Sequence, residues 1–217
     1  ALTLAGFAAL GVSFPEKELT IIARQSSGSA CRSIPDGFVI WQEGNASDES
    51  FAYSLFPSSH WDLRDILVIV DSSMKKVSTT DGMEGAQTSP FLSNRLRMIP
   101  KRLEDTKNAL KDKNIKLLGE VMEKDCLDMH HVMQTQAPPL LYWNETTKMI
   151  MQSVLSWRET DEIPVYFTID AGPNVHLICE AKDEDRVLGK VKTTQGIESY
   201  IINRPSRGSQ LIDTHLF

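Results

Sequence analysis

A chain of 217 residues with 41% hydrophobic side chains can bury one large core, or one and a half small ones, and its composition is that of a globular protein. Its formal net charge of −6, with no long basic run, argues against nucleic acid as the main partner but leaves room for a local arginine pocket. No apolar stretch reaches the roughly 20 residues of a membrane span, and three widely separated cysteines (Cys31, Cys126, Cys179) favour a reduced, cytoplasmic setting over a disulfide framework.

The opening stretch, Ala1 to Val12, is apolar but short and lacks the basic flank of a signal peptide. Leu2, Leu4, Phe7, Ala8 and Leu10 predict a buried helix ended by Gly11 and Pro15. A chain without an initiator methionine that opens in mid-helix is expected to be the remainder of a longer protein. Pro15-Glu16-Lys17-Glu18 starts a second predicted helix, with Leu19, Ile22 and Ala23 on one face. Then comes Arg24-Gln25-Ser26-Ser27-Gly28-Ser29-Ala30-Cys31-Arg32-Ser33, small hydroxyl residues around a glycine between two arginines. Small side chains let an anion approach backbone N–H groups, arginine adds a permanent forked charge, and a helix beginning near Ser29 would aim its N-terminus at the same anion. A serine-rich helix cap with solvated arginines fits the same residues.

Pro35-Asp36-Gly37 predicts a turn, Phe38 to Gln42 a strand, and Ser50 to Phe56 its hairpin partner. Asp65 to Val70 reads as a strand buried on both faces. Ser72 to Ser89 is a long polar loop whose Lys75, Thr79 and Thr80 suit a phosphate or a plain surface. From Pro90 to His131 the pattern is helical, with Leu92, Leu96, Ile99, Leu103 and Leu110 on one stripe across a break expected at Pro100, and Pro138-Pro139 closing the block. Thr146 to Trp157 predicts another helix. Pro164 to Ile169 and Val175 to Cys179 predict strands on either side of an Asp170–Asn174 turn, followed by a charged segment (Lys182 to Arg186). Ile197 to Ile202 predicts a last strand before a Pro/Gly/Ser tail. The sum is an α+β fold, an antiparallel sheet covered by a helical layer.

Asp170 stands out as a carboxylate held at a strand end yet open at the sheet's edge, which suits a catalytic base or orienter; a turn-forming aspartate bonding its own backbone fits equally. His130 and His131 are adjacent, so they do not face one site, and no third ligand has suitable spacing; no metal site is expected. Cys31 has Arg32 beside it, which favours a thiolate, but no histidine is placed to activate it, so a buried small residue is the better reading. Gly28 belongs to no GxGxxG or Walker pattern.

In order, the runs Ser26–Ser33, Gly37-Phe38-Val39, Lys75–Met83, Thr88-Ser89-Pro90, Pro138-Pro139 and Phe167-Thr168-Ile169-Asp170-Ala171-Gly172-Pro173-Asn174 resemble the diphosphomevalonate decarboxylases of the GHMP kinase superfamily over nearly the whole chain. The resemblance implies a GHMP-kinase-like fold with its N-terminal part missing, residues 1–60 being the remainder of an N-terminal domain and 61–217 the C-terminal domain. It also implies an ATP- and Mg2+-dependent decarboxylation of mevalonate 5-diphosphate to isopentenyl diphosphate, and a homodimer. Asp170 matches the family's catalytic aspartate, and Arg32 the arginine that holds the substrate carboxylate and orients that aspartate. Ser27, Gly28 and Ser29 match the diphosphate seat. Met83 lies at the end of the substrate-side loop, and Lys75 and Thr79 fall near the ATP phosphates. Thr79 stands where a serine is usual, Thr80 where some members carry an arginine, and Cys126-Leu127 where a Ser-Asn pair is expected. The family's phosphate loop would lie before Gly6, so this chain alone is expected to be incomplete. A mevalonate 5-phosphate decarboxylase, a sister mevalonate kinase and a catalytically incompetent fragment that binds a phosphorylated ligand remain the alternatives.

Overall fold

The structure, a computed structural model, describes residues 2–71 and 85–212. The chain separates into two compact units, Ala1–Asp62 with Pro205–Phe217, and Leu63–Arg204. The first carries helix α1 (Leu2–Ala9), helix α2 (Glu16–Ser26), a short 3-10 helix (Gly28–Ser33) and an antiparallel hairpin of β1 (Phe38–Trp41) and β2 (Ala52–Phe56). Pro15 precedes α2, where a missing N–H costs nothing, and Leu19, Thr20 and Ala23 form its buried face. Leu19, Ala23 and Ile34 make a small core against which Leu4, Phe7 and Phe14 pack. The tail returns to this unit: Ser209 N–H donates to the Ile34 carbonyl (3.1 Å) and Gly37 N–H to the Ser206 carbonyl (3.1 Å).

Helix α1 forms where the periodicity placed it but is not buried: none of its residues is fully buried, and Leu2 is 90% exposed. Its apolar residues surround the helix, so among the described residues only the Leu4 and Phe7 side meets a neighbour.

The second unit is built on a four-stranded antiparallel sheet in the order β4 (Tyr166–Thr168), β5 (Val175–Glu180), β3 (Leu63–Ile69), β6 (Ser199–Asn203). Register places Phe167, Leu177, Ile66 and Ile202 in one row, and Val175, Val68 and Tyr200 in the next. Helices α5 (Glu145–Thr160) and α6 (Glu184–Thr193) cover that face through Ile150, Val154 and Trp157, and through Val187, Leu188 and Val191. From Ile66 onward strand β3 alternates, with Ile66 and Val68 buried and Leu67 and Ile69 half-buried. The two-sided burial suggested by its unbroken apolar run is not seen among the described residues, which cover its other face less completely.

Helices α3 (Leu92–Asp112) and α4 (Ile115–Thr135) pair with each other, and α4 runs along β4. Helix α3 passes through Pro100 without a break. Arg95 and Arg102, on either side of the proline, both bond Asp125 of α4 (2.9 Å each), which holds the two halves on one axis. Its leucine stripe is only partly used, since Leu96 and Leu103 remain exposed. Helix α6 lies where the sequence showed only a charged segment; its apolar residues occupy two turns and are hidden among lysines and acids.

Gly119 lets α4 approach the sheet, because a Cβ there would sit 2.0 Å from the Tyr166 ring. Gly119→Ala forces the helix off the strand and is expected to lower stability by about 1–3 kcal/mol, read from urea denaturation. An unchanged midpoint would show that this contact is not tight.

Candidate active site

Each unit carries part of the sequence-predicted site. In the first, α2 ends at Ser27, and the following segment winds into a six-residue 3-10 helix. The expected helix N-terminus at Ser29 is therefore too short to hold an aligned macrodipole. Ser27 and Ser29 are exposed, with their hydroxyls 3.2 Å apart. Gly28 has a packing reason of its own, since a Cβ there would lie 2.9 Å from the Trp41 indole. The two arginines separate cleanly. Arg24 is spent on the hairpin, its Nε donating to the Ser50 carbonyl (3.1 Å) and its Nη2 to Ser47 Oγ (2.9 Å), whereas Arg32 is exposed. Cys31 is fully buried, and burial raises its pKa against the pull of Arg32 and Arg24, so it is an inert thiol. All three cysteines are unpaired.

In the second unit, β4 delivers Asp170, itself exposed, to a turn whose next two residues are buried, where Oδ1 accepts the Gly172 N–H at 3.0 Å. This is the self-bonding turn geometry, and it leaves the second oxygen out of that bond. The turn is tied down on three sides. Pro173 O accepts the Thr147 hydroxyl (2.6 Å), and Thr147 belongs to the capping box that Asn144 makes at the start of α5. Asn174 Oδ1 accepts the N–H groups of Val70 (3.0 Å) and Asp71 (3.3 Å), so the turn also fixes where the chain leaves β3 toward residue 72. Ile169 is held by Cys126 and His130 of α4.

Asp170, Ile169 and Thr168 form one wall of a groove of about 500 Å³ whose other walls are α3 and α4. Its floor is apolar (Leu118, Val121, Met122), and one side carries Arg102 and Asp125. Arg102 reaches Asp125 and Asp128 while Arg95 takes both Asp125 oxygens, so the four charges neutralise one another. Burial alone would raise the Asp125 carboxyl; the two guanidinium groups bring it below the usual range.

His130 is buried, and burial holds it neutral by lowering its pKa. Among the described residues no group of three or more His, Cys, Asp or Glu is arranged to hold a metal ion. Lys75, Thr79, Thr80 and Met83 lie outside the described residues. Sequence reading did not single out Glu123, Cys126 and His130 as a set. Their signal is polar side chains at positions i, i+3 and i+7 of a helix whose other inward residues are apolar.

Comparison with known proteins gives the same reading from two directions. A family model described as the mevalonate 5-diphosphate decarboxylase C-terminal domain matches residues 66–211, and one described as the diphosphomevalonate decarboxylase-like N-terminal domain matches residues 1–52. The chain is 35% identical over 206 residues to the diphosphomevalonate decarboxylase of Debaryomyces hansenii, spanning 88% of this chain and 53% of that protein. It is likewise 35% identical over 201 residues to that of Candida albicans, spanning 87% and 55%. The chain thus spans about half the length of the curated relatives it matches. Among solved structures, a protein in complex with MVAPP, AMPPCP and magnesium superposes with a TM-score of 0.85 at 32% identity, over 99% of this chain and 68% of that one. Mevalonate diphosphate decarboxylase from Staphylococcus aureus superposes at 0.84 with 35% identity, over 90% and 60%.

On the sheet face next to Thr168, His176 Nδ1 meets Asp65 (2.9 and 3.1 Å). The bond to Asp65 raises the histidine's pKa, partial burial opposes it, and the charges of Asp65 and Asp170 add to the rise. A raised folded-state pKa contributes stability that is fully present below the unfolded value and is lost as pH rises through the folded one. The Tm difference between wild type and His176→Gln is therefore expected to be larger near about pH 5.5 than near about pH 8.5. Thermal melts at the two pH values check this, and a difference that grows toward alkaline pH contradicts it.

Proposed function

We infer the activity from one premise: the chain belongs to the diphosphomevalonate decarboxylase family. The reading it supports is ATP-dependent decarboxylation of mevalonate 5-diphosphate to isopentenyl diphosphate, by the full-length gene product that contains this chain. The observation that carries it is Asp170, an exposed carboxylate on an over-determined turn. A tertiary hydroxyl does not ionise near neutral pH, so its conversion to a phosphate ester needs a carboxylate within reach as the bond forms. Asp170 takes that proton while the 3-oxygen gains the γ-phosphoryl group and ADP departs. The 3-phosphate then leaves with its C–O electron pair. Charge developing at carbon 3 is quenched as the bond to the carboxylate breaks, its electron pair closing the alkene and CO₂ leaving.

Arg32 is assigned to the substrate carboxylate, for which a fork of parallel N–H donors is suited, and Ser27, Gly28 and Ser29 to the diphosphate. Magnesium-ATP is the phosphoryl donor this reading requires. Lys75 and Thr79, assigned to it, lie outside the described residues. Met83 is assigned to the substrate side of the same segment. A cytoplasmic setting belongs to this reading, supported by three buried unpaired thiols. A homodimer belongs to it too, supported by the exposed edge of β6 with Ile201 52% and Ile202 40% exposed.

The test is Asp170→Asn in the full-length gene product. It is expected to abolish ATP-dependent CO₂ release, a loss of at least about 1,000-fold if proton removal and charge at this position are both lost, while calorimetry still detects mevalonate 5-diphosphate binding. Retained turnover would remove Asp170 from its role.

A further inference from the structure

Strand β4 lies at the edge of its sheet, and an edge strand presents alternate N–H and C=O groups with nothing to pair. Tyr166 and Thr168 turn theirs toward β5, so Val165, Phe167 and Ile169 turn theirs outward. The Val165 N–H turns back to the Ile163 carbonyl (2.8 Å), and side chains meet four of the other outward groups. The Val165 carbonyl accepts Arg158 Nη1 (2.8 Å). Phe167 N–H donates to Glu123 Oε1 (3.1 Å). Ile169 N–H donates to Cys126 Sγ (3.2 Å), and its carbonyl lies 3.3 Å from His130 Nε2 and 3.5 Å from the same sulfur.

We propose that Glu123, Cys126 and His130 of α4 act as a surrogate fifth strand that fixes the main chain entering Asp170, making Cys126 and His130 positioning residues for the reaction. Cys126 does for Ile169 what a neighbouring strand's backbone would do: the sulfur accepts the N–H, and the S–H points at the carbonyl of the same residue. His130 completes the carbonyl. The main chain is its partner, at the Ile169 carbonyl and at Asp170, so Nε2 carries the proton, and burial keeps the ring neutral. Glu123 is itself held by a two-pronged bond to Arg158 (2.9 and 3.0 Å). The spacing suits the task, because residues 123 to 130 rise about 10 Å along a helix, enough to serve both Phe167 and Ile169, about 7 Å apart on a strand. All three side chains are buried, at 8%, 3% and 1% exposure, so water does not compete for these bonds. Asp170 is the next residue, and only the torsions at one junction separate the clamp from its carboxylate.

The proposal rests on the decarboxylase reading, and the experiment separates the two. In the full-length gene product, His130→Leu keeps bulk but removes the donor, and Cys126→Ala removes the sulfur. Each is expected to lower kcat for CO₂ release by about 100-fold, the scale of a misplacement near 1 Å, with KM for mevalonate 5-diphosphate and far-UV circular dichroism unchanged. Cys126→Ser and His130→Gln, which keep a donor at the same place, are expected to restore most of the lost kcat. Amide exchange read by NMR at Ile169 and Gly172 is expected to quicken in His130→Leu and Cys126→Ala but not in the two conservative variants. Unchanged kcat, a loss that appears in KM alone, or equal loss in the conservative variants would overturn the positioning role. So would unchanged amide exchange in all four. Absence of turnover in the wild-type protein would instead overturn the decarboxylase reading, and the exchange result would then decide the clamp by itself.

Discussion

An edge strand three residues long, carrying an exposed acid at its end, is a poor platform for chemistry unless something satisfies its outer backbone. In this chain the fourth helix supplies that cover through side chains. Glu123, Cys126 and His130 take the backbone groups of Phe167 and Ile169, and Gly119 lets the helix come close enough to do so. A buried, unpaired peptide group costs about 1–3 kcal/mol, so each of these bonds narrows the set of backbone positions open to Asp170. The same logic continues past the turn, where Thr147 holds Pro173 and Asn174 holds the end of β3. The aspartate itself stays exposed while the chain on both sides of it is over-determined.

Electrostatics follow from this layout. Arg95, Arg102, Asp125 and Asp128 neutralise one another at the side of the groove, and Glu123 is matched by Arg158. Asp170 is the acid in the groove wall that has no such arginine among its described hydrogen-bond partners. That division lets helix-to-helix ion pairs hold the scaffold without competing for the carboxylate assigned to the substrate.

Much of this was legible in the sequence. Val165, Phe167 and Ile169 at alternate positions and the Asp170–Asn174 turn residues located the strand end that carries the acid, and the hairpin after Gly37 and the proline-led α2 formed close to where they were read. Other features were not, and for physical reasons. Helix α6 hides three apolar residues among charges and becomes recognisable only against the sheet it covers. Pro100 reads as a break because local chemistry disfavours it, yet ion pairs on either side to one aspartate of α4 carry the helix through. The clamp on β4 is tertiary by nature, since nothing local in Cys126 or His130 announces a partner 43 or 39 residues away. Gly28 read as room for a phosphate; it also makes room for an indole, and sequence alone does not separate those demands.

The central claim is that the turn at Asp170 serves a reaction in which phosphoryl transfer and carbon–carbon cleavage occur on one substrate. The most direct measurement is the stoichiometry of ADP and CO₂ formed from carboxyl-labelled mevalonate 5-diphosphate by the full-length gene product. The account predicts equal amounts of both, with no CO₂ when ATP is withheld. ADP formed with a stable 3-phosphorylated product and no CO₂ would contradict it, and would make the protein a kinase.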